Sequence, residues 1–299
     1  VNELEQLTAE MTQKEAGLFV TSGTQGNLLA LLSHCDRGDE YITGSAAHTY
    51  LHEAGGGAVL GSIQPQPLPF NSRGELELRD VVAAIKPDDY HYAKTRLLCL
   101  ENTQGGKVLS INYMREARDI ARKHALKFHL DGARIFNAAV KLGEPVSAIT
   151  SLFDTVSICL SKGLAAPVGS ILVGNYSTIS KARRFRKMVG GGMRQSGILA
   201  AAGIYALTHN VDRLAEDHRR ARDLADALGQ IKSLPIVADP QTNMVMLDIS
   251  DDRLAQLKTF MEVKGIKLSS QRLVLHRDID DSDLNKIIDS FKAFDEARK

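Results

Sequence analysis

The sequence predicts an α/β protein with a mostly parallel sheet that carries helices on both faces. Its strand segments are largely apolar along their whole length, as in 97–100 and 156–160, and do not alternate between apolar and polar residues. Helical patterns such as 111–124 separate consecutive strand segments. Strands buried on both faces have such continuous apolar runs, and parallel strands need a crossover that is usually a helix.

The elements of the first two thirds follow from local patterns. Apolar residues at helical spacing predict a helix over 4–16, and a second helix is predicted over 28–34. Prolines at 65, 67 and 69 predict an extended connection, because proline fixes φ and has no amide hydrogen. Strands are predicted at 17–20, 40–43, 96–103, 126–131, 155–160 and 168–173.

The pattern changes after about Thr208, and this change predicts a second domain. Two polar amphipathic helices are expected on either side of a strand at 243–249, followed by a short strand and a final helix. A chain of 299 residues is long enough for two modest domains. We therefore expect a large domain at 1–208 and a small α+β domain at 209–299. The last four elements are predicted at 212–229, 253–264, 272–276 and 281–297.

Composition limits the classes of partner. Lys and Arg number 37 against 36 Asp and Glu, a net charge of +1, so the chain lacks the basic excess of a nucleic-acid-binding protein. No apolar stretch approaches the roughly 20 residues that cross a bilayer. The three cysteines are far apart and form no metal-binding spacing, which predicts reduced buried thiols in a cytoplasmic protein.

A candidate anion site lies at Ser22-Gly23-Thr24, between a predicted strand and a predicted helix. The free N–H groups and the positive dipole end of a helix favour an anion, and hydroxyls add donors. The P-loop pattern GxxxxGK[ST] is absent. An ordinary helix N-cap explains the same residues, so this alternative stays open.

A second candidate is Asp131, which ends an apolar strand. Open α/β sheets bind ligands outside the carboxyl ends of their strands. Arg134 is three residues further on, and its guanidinium suits either Asp131 or the carboxylate of a substrate. A purely structural Asp–Arg pair is the alternative.

A third candidate is Lys162, which directly follows the strand 155–160 and precedes a glycine-rich apolar segment. Desolvation in such a setting is expected to lower the pKa of the lysine and to make its amine available for imine formation. Most lysines are solvated surface charges, which is the competing interpretation.

Histidines and one further arginine complete the candidates. His48, His52 and Glu53 could suggest a metal site, but the zincin order HExxH and a third ligand are missing, so no metal is predicted. Stacking of His48 on a planar cofactor is the preferred interpretation. His91 lies in a polar segment, and such a segment is equally typical of a surface loop. Arg194 follows three glycines and could approach an anionic ligand or a subunit boundary.

These candidate sites follow one another along the chain. The first is the anion site at Ser22-Gly23-Thr24, here called the anion cradle. A histidine, an Asp-x-x-Arg sequence and, about 30 residues later, a lysine at a strand end follow it. The combination resembles the fold-type-I pyridoxal-phosphate enzymes, and more narrowly the low-specificity L-threonine aldolases of the β-eliminating lyase superfamily. The resemblance covers nearly the whole chain. Its main stretches are SGTQGN (22–27), AAHTYLHEAGG (46–56), LENTQGGKVL (100–109), HLDGARIFNA (129–138), ICLSKGLAAPVGSILVG (158–174) and RKMVGGGMRQSGILAAAGIYAL (186–207).

The resemblance implies that pyridoxal 5'-phosphate is the cofactor. Lys162 would be the Schiff-base lysine, Asp131 would pair with the pyridine nitrogen, and His48 would stack on the ring. The remaining cofactor-binding residues that it implies are Ser22, Gly23, Thr24, Arg134 and Arg194.

The resemblance also implies the reaction. Arg134 and Arg272 would hold the carboxylate of the amino acid, and His48 and His91 would handle the proton of its hydroxyl group. The expected activity is aldol cleavage of L-threonine or L-allo-threonine to glycine and acetaldehyde through a quinonoid intermediate. A homotetramer with active sites at subunit interfaces is expected. The alternatives are another pyridoxal-phosphate-dependent β-elimination and a non-catalytic phosphate-binding α/β protein.

Overall fold

A computed structural model describes residues 1–297 of the chain. The chain divides into two compact units, Val1–Val211 and Asp212–Lys299. The division therefore falls at 211/212, where the sequence pattern suggested 208/209. The roles assigned to the two regions stay predictions.

The first unit contains a seven-stranded sheet in the order β1-β7-β6-β5-β4-β2-β3. Strands β6, β5, β4, β2 and β3 run parallel to one another, and β7 is antiparallel to both of its neighbours. The predicted mostly parallel α/β sheet is therefore confirmed. The strands are β1 (Ala16–Val20), β2 (Asp39–Gly44), β3 (Gln64–Leu68), β4 (Lys94–Glu101), β5 (Lys127–Gly132), β6 (Thr155–Cys159) and β7 (Ser170–Gly174).

Helices connect these strands. The second helix begins at Gly23, earlier than predicted, because the hydroxyl of Ser22 caps its first turn. The helices are α1 (Asn2–Thr12), α2 (Gly23–His34), α3 (His48–Leu51), α4 (Gly56–Gly61), α5 (Leu78–Ala84), α6 (Ile111–Lys123), α7 (Ile135–Leu142), α8 (Val146–Thr150), α9 (Tyr176–Met188) and α10 (Gly197–His209).

The proline-rich connection is an edge strand of the sheet. Among the described residues β3 pairs with β2 alone, and Pro65 and Pro67 both lie within it. An edge strand tolerates proline because one of its sides has no neighbour to receive N–H groups. The prediction of extended backbone was right, but it missed the pairing.

The second unit consists of a two-stranded antiparallel sheet and three helices around one apolar core. Leu224, Val245, Leu257 and Phe291 are buried in that core. The strands are shorter than predicted. The elements are α11 (Leu214–Leu228), β8 (Met244–Met246), α12 (Asp251–Val263), β9 (Arg272–Val274) and α13 (Asp281–Glu296).

The three cysteines are free and buried, as the sequence predicted. Within residues 1–297 we find no helix that combines the length and the apolar character needed to cross a membrane.

Candidate active site

The carboxyl edge of the parallel strands brings two of the predicted residues to the same side of the sheet. Asp131 lies near the end of β5 and pairs in register with Glu101 at the end of β4 and with Ser157 on β6. β6 runs parallel to β5, and Lys162 follows its last residue by three positions. This is the edge at which open α/β sheets bind ligands.

Asp131 is buried and held by two donors. Its Oδ2 accepts a hydrogen bond from Asn27 Nδ2 at 2.9 Å, and its Oδ1 accepts one from the backbone N–H of Ala133 at 3.1 Å. Both hydrogen bonds fix the orientation of the carboxylate. A carboxylate with spare lone pairs can accept a further proton-bearing nitrogen from a ligand.

Close packing of α2 on the sheet brings Asn27 to this position. A Cβ atom added to Gly26 would lie 2.6 Å from the hydroxyl oxygen of Ser157 on β6. Only glycine therefore allows the helix to approach the strand so closely. The next residue, Asn27, is thereby placed beside the end of β5.

His48 begins α3 and contacts two acidic side chains of the site. Its backbone N–H donates to Glu101 Oε2 at 2.7 Å, and its Nδ1 lies 2.8 Å from Glu53 Oε1. The hydrogen bond to Glu53 is the largest influence on the pKa of His48 and raises it, while partial burial opposes the rise. His48 is therefore paired with Glu53, five residues away.

Burial makes two acidic groups of the site, Glu53 and Glu101, easier to protonate. It raises the pKa of Glu53, against the hydrogen bonds from His48 and Asn27. It also raises the pKa of Glu101 to about 7, helped by the neighbouring charge of Asp131. Glu101 can therefore exchange a proton near neutral pH.

Three of these side chains could also surround a cation. Ligand atoms of His48, Glu53 and Asp131 lie within 4.8 Å of one another. However, the amide of Asn27 already donates one hydrogen to Glu53 at 2.8 Å and one to Asp131. These hydrogen bonds bridge the two carboxylates without a metal.

The predicted anion cradle lies at the start of α2. The hydroxyl of Ser22 accepts a hydrogen bond from the backbone of Gln25 at 3.1 Å, so it serves as the N-cap, which was the structural alternative. The first N–H groups of a helix have no partner inside it, which leaves those of Gly23 and Thr24 for an anion.

A hydroxyl group that the sequence did not suggest adjoins this cradle. Ser170 Oγ, at the start of β7, is fully buried and has no hydrogen-bond partner among the described residues. A Cβ atom on Gly23 would lie 3.7 Å from it. An unsatisfied buried hydroxyl is costly, so its place beside the cradle fits an anion that would accept its hydrogen.

Lys162 differs from its prediction in one respect. Its side chain is exposed in the single chain, so the predicted burial and desolvation of Lys162 are wrong for one isolated subunit. The residue follows β6 in a turn in which Ala165 N–H donates to its carbonyl at 3.0 Å. Its positive charge is close enough to lower the pKa values of both His48 and Glu101.

Arg134 and Arg194 are the two further arginines that were predicted for the cofactor site. Arg134 is partly buried at the start of α7 and lines a small cavity with Cys159 and Gly163. Arg194 is exposed in the connection between α9 and α10. The roles predicted for both residues stay predictions.

His91 does not contact the cluster within a single chain, and the role predicted for Arg272 stays a prediction. His91 is exposed, bonds to Asp89 through Nδ1 at 2.7 Å, and comes three residues before β4 begins. β4 runs from Lys94 to Glu101, about 23 Å at 3.3 Å per residue, and His91 precedes the end of the strand that lies away from Glu101. Its predicted role in the site stays a prediction. Arg272 is exposed at the start of β9 in the second unit.

Comparison with known proteins gives the family. A family model described as Beta-eliminating lyase matches residues 1–252. The chain belongs to this family. The low specificity L-threonine aldolase of Escherichia coli strain K12 is 50% identical over 297 residues, which cover 98% of this chain and 89% of that protein. The low-specificity L-threonine aldolase 1 of Arabidopsis thaliana is 43% identical and covers 97% and 85%.

A solved structure supports the fold. The threonine aldolase of Leishmania major superposes with a TM-score of 0.82 at 19% identity, covering 98% of this chain and 89% of that chain. The predicted resemblance, the fold class and the assignment as a lyase are thus confirmed for this family member.

The cluster contains residues that the sequence interpretation missed. These residues lie beside the predicted ones. One sequence signal could have identified Glu101. It ends the strand that precedes the strand of Asp131, and two parallel strands bring their last residues to the same edge of the sheet. The hydrogen bonds of Asn27 and His129 link residues far apart in the chain. The missed residues are Asn27, Glu101, His129 and Ser170, and Glu53 was considered only as a metal ligand.

Proposed function

We propose that the protein is a pyridoxal-phosphate-dependent aldolase that cleaves L-threonine and L-allo-threonine to glycine and acetaldehyde. The observation that carries the proposal is the position of Asp131 and Lys162 on one sheet edge, with His48 in the same hydrogen-bonded cluster as Asp131. The 50% identity to the Escherichia coli low specificity L-threonine aldolase supports the choice of substrates.

The residues at this edge fit the cofactor. Asp131, whose orientation is fixed by two hydrogen bonds, would hold the ring nitrogen, and Lys162 would hold the aldehyde group through its amine. Gly23, Thr24 and the hydroxyl of Ser170 suit the phosphate, with Arg194 as a further cation. When bound, the cofactor withdraws electrons from the α-carbon of the amino acid.

His48 is placed to accept the proton of the substrate hydroxyl. A carboxylate only accepts hydrogen bonds, so Nδ1 of neutral His48 carries the hydrogen directed at Glu53. Its Nε2 then has a free lone pair. The raised pKa of His48 strengthens this base.

Two arginines are proposed to orient the substrate amino acid. Arg134 and Arg272 would hold the α-carboxylate through bidentate hydrogen bonds. A fixed carboxylate directs the bond between Cα and Cβ toward the position from which it is cleaved. This assignment stays a proposal, as does the stacking of His48 on the ring.

We further infer a cytoplasmic homotetramer with active sites between subunits. Exposed apolar side chains support self-association: Ile198 on α10 is 80% exposed, and Val59 on α4 is 76% exposed. In such an assembly His91, at the far edge of its own sheet, would act on the site of another copy.

Product analysis tests the activity. The purified protein is incubated with L-threonine or L-allo-threonine, with and without added cofactor, and acetaldehyde and glycine are quantified. Lys162→Ala should abolish turnover and also the mass increase that borohydride reduction produces on the peptide containing residue 162. Pyruvate and ammonia would support the β-elimination alternative, and a protein with no product and no cofactor absorbance would overturn the proposal.

A further inference from the structure

A chain of buried hydrogen bonds leads away from Asp131 into the protein interior. Asn27 Oδ1 lies 3.1 Å from His129 Nε2, and His129 Nδ1 lies 2.8 Å from Thr155 Oγ1. Thr155 Oγ1 is in turn 2.8 Å from Nε2 of the partly buried His34. Asn27, His129, Thr155 and Asp131 are each at most 3% exposed. No step of the proposed chemistry uses His34, His129 or Thr155.

The direction of these hydrogen bonds follows from the acceptors around Asn27. Its Nδ2 faces carboxylate oxygens of Glu53 and Asp131, and these oxygens accept hydrogen bonds. The amide nitrogen must therefore point toward them, and the amide oxygen must point toward His129. The orientation of Asn27 is thus determined by its two acidic neighbours.

The tautomer of His129 follows in turn. An amide oxygen can only accept, so His129 Nε2 carries a hydrogen, and Nδ1 of the neutral ring is an acceptor. Burial lowers the pKa of His129 to about 3, which keeps the ring neutral. Nδ1 also lies 3.1 Å from the carbonyl oxygen of Thr155, which would favour a hydrogen on Nδ1, but the single hydrogen of the neutral ring is held on Nε2 by the amide oxygen of Asn27. Nδ1 therefore receives the hydroxyl hydrogen of Thr155, and Thr155 receives the Nε2 hydrogen of His34.

We propose that Asn27, His129 and Thr155 are positioning residues that hold the Asp131 carboxylate in a fixed orientation for the cofactor ring. Every donor in the chain points toward Asp131, so the bonds reinforce one another in a buried environment. The inference rests on the proposed function, because Asp131 has this task only if the cofactor binds there.

Thr155→Val tests the proposal with little change of shape. It removes the hydroxyl that donates to His129 and leaves both carboxylates untouched. Thr150→Val is the matched control, since Thr150 is also fully buried and its hydroxyl donates to the carbonyl of Thr12 at 2.7 Å, outside the chain of bonds. Both variants lose one buried hydroxyl and should show similar losses in melting temperature.

The first readout is the ring-nitrogen NMR spectrum of the full-length protein, recorded with and without cofactor. We expect His129 to be neutral with its hydrogen on Nε2 in the native protein and in Thr150→Val, and to show altered Nδ1 and Nε2 shifts in Thr155→Val. A hydrogen on Nδ1 or a charged ring in the native protein would overturn the proposal.

The second readout is the dissociation constant of pyridoxal 5'-phosphate, measured by absorbance titration. Loss of one supporting hydrogen bond should raise this constant about three- to tenfold in Thr155→Val, with kcat lowered more than KM is raised. Thr150→Val should stay within about twofold of native. Equal changes in both variants would overturn the proposal. Absence of cofactor binding by the native protein would instead overturn the proposed function, and the NMR result would still stand.

Discussion

Nδ1 of His48 lies 2.8 Å from Oε1 of Glu53, and this hydrogen bond is the largest cause of the raised pKa of the histidine. Glu53 also accepts a hydrogen bond from the amide of Asn27, which holds Asp131 at the same time. The candidate base and the candidate partner of the ring nitrogen are therefore linked through one buried glutamate and one asparagine.

Glu53→Gln should move the acid limb of the pH profile of kcat/KM to lower pH. A base works only when it is deprotonated, so activity falls below its pKa. Glu53 raises the pKa of His48, and removing the carboxylate charge lowers it. Glu75→Gln serves as a control, because Glu75 is also buried but pairs with Arg73. An unchanged acid limb in Glu53→Gln would exclude His48 as the base.

The buried His129 and the partly buried His34 should make stability depend on pH. Burial lowers the pKa of His129 to about 3 and that of His34 to about 4, against about 6.5 in the unfolded chain. Between about pH 4 and 6.5 the unfolded state binds more protons, so the free energy of unfolding falls as the pH falls through this range. Each histidine contributes at most about 1.4 kcal/mol per pH unit.

His34→Gln should therefore reduce the slope of the unfolding free energy against pH by the contribution of about one proton. Urea unfolding at pH 4.5, 5.5, 6.5 and 7.5 measures it, and His209→Gln, at an exposed position, should leave the slope unchanged. A slope in His34→Gln equal to that of the native protein would contradict the assignment of a neutral buried ring.

Gly26→Ala should weaken both folding and cofactor binding. The new Cβ would meet the hydroxyl oxygen of Ser157 at 2.6 Å and push α2 away from β6, which displaces Asn27 from Asp131. Overpacking of this kind costs about 1–3 kcal/mol of unfolding free energy. Adding Ser157→Ala removes the clashing oxygen and should restore part of the loss. Calorimetry and cofactor titration measure the two effects, and a double variant no better than Gly26→Ala would contradict this explanation.

His91→Ala should lower the cleavage rate about tenfold or more if His91 assists proton transfer in the site of another copy. His91 precedes the start of β4 and Glu101 ends it, so His91 lies away from the site of its own chain. Co-expression of His91→Ala with Lys162→Ala should then produce mixed oligomers in which some sites contain both native residues. Activity of the mixture above the sum of the two separate variants is the expected result, and its absence would place His91 outside the chemistry.

Local patterns determined the sheet type and the edge that carries the site. Apolar runs over 97–100 and 156–160 identified strands buried on both faces, and parallel strands have their carboxyl ends on one side. The sequence therefore placed Asp131 and Lys162 on the same edge without any knowledge of packing. The family followed from motifs whose order extends over nearly the whole chain.

Three-dimensional packing determined the rest. The bond between Asn27 and Asp131 joins residues 104 positions apart, and it forms because Gly26 lets a helix lie close to β6. The exposure of Lys162 also depends on neighbours that no local pattern specifies. Strand periodicity shows which edge a side chain reaches, but its partners, its burial and hence its pKa depend on elements that are distant in sequence and meet only when the chain folds.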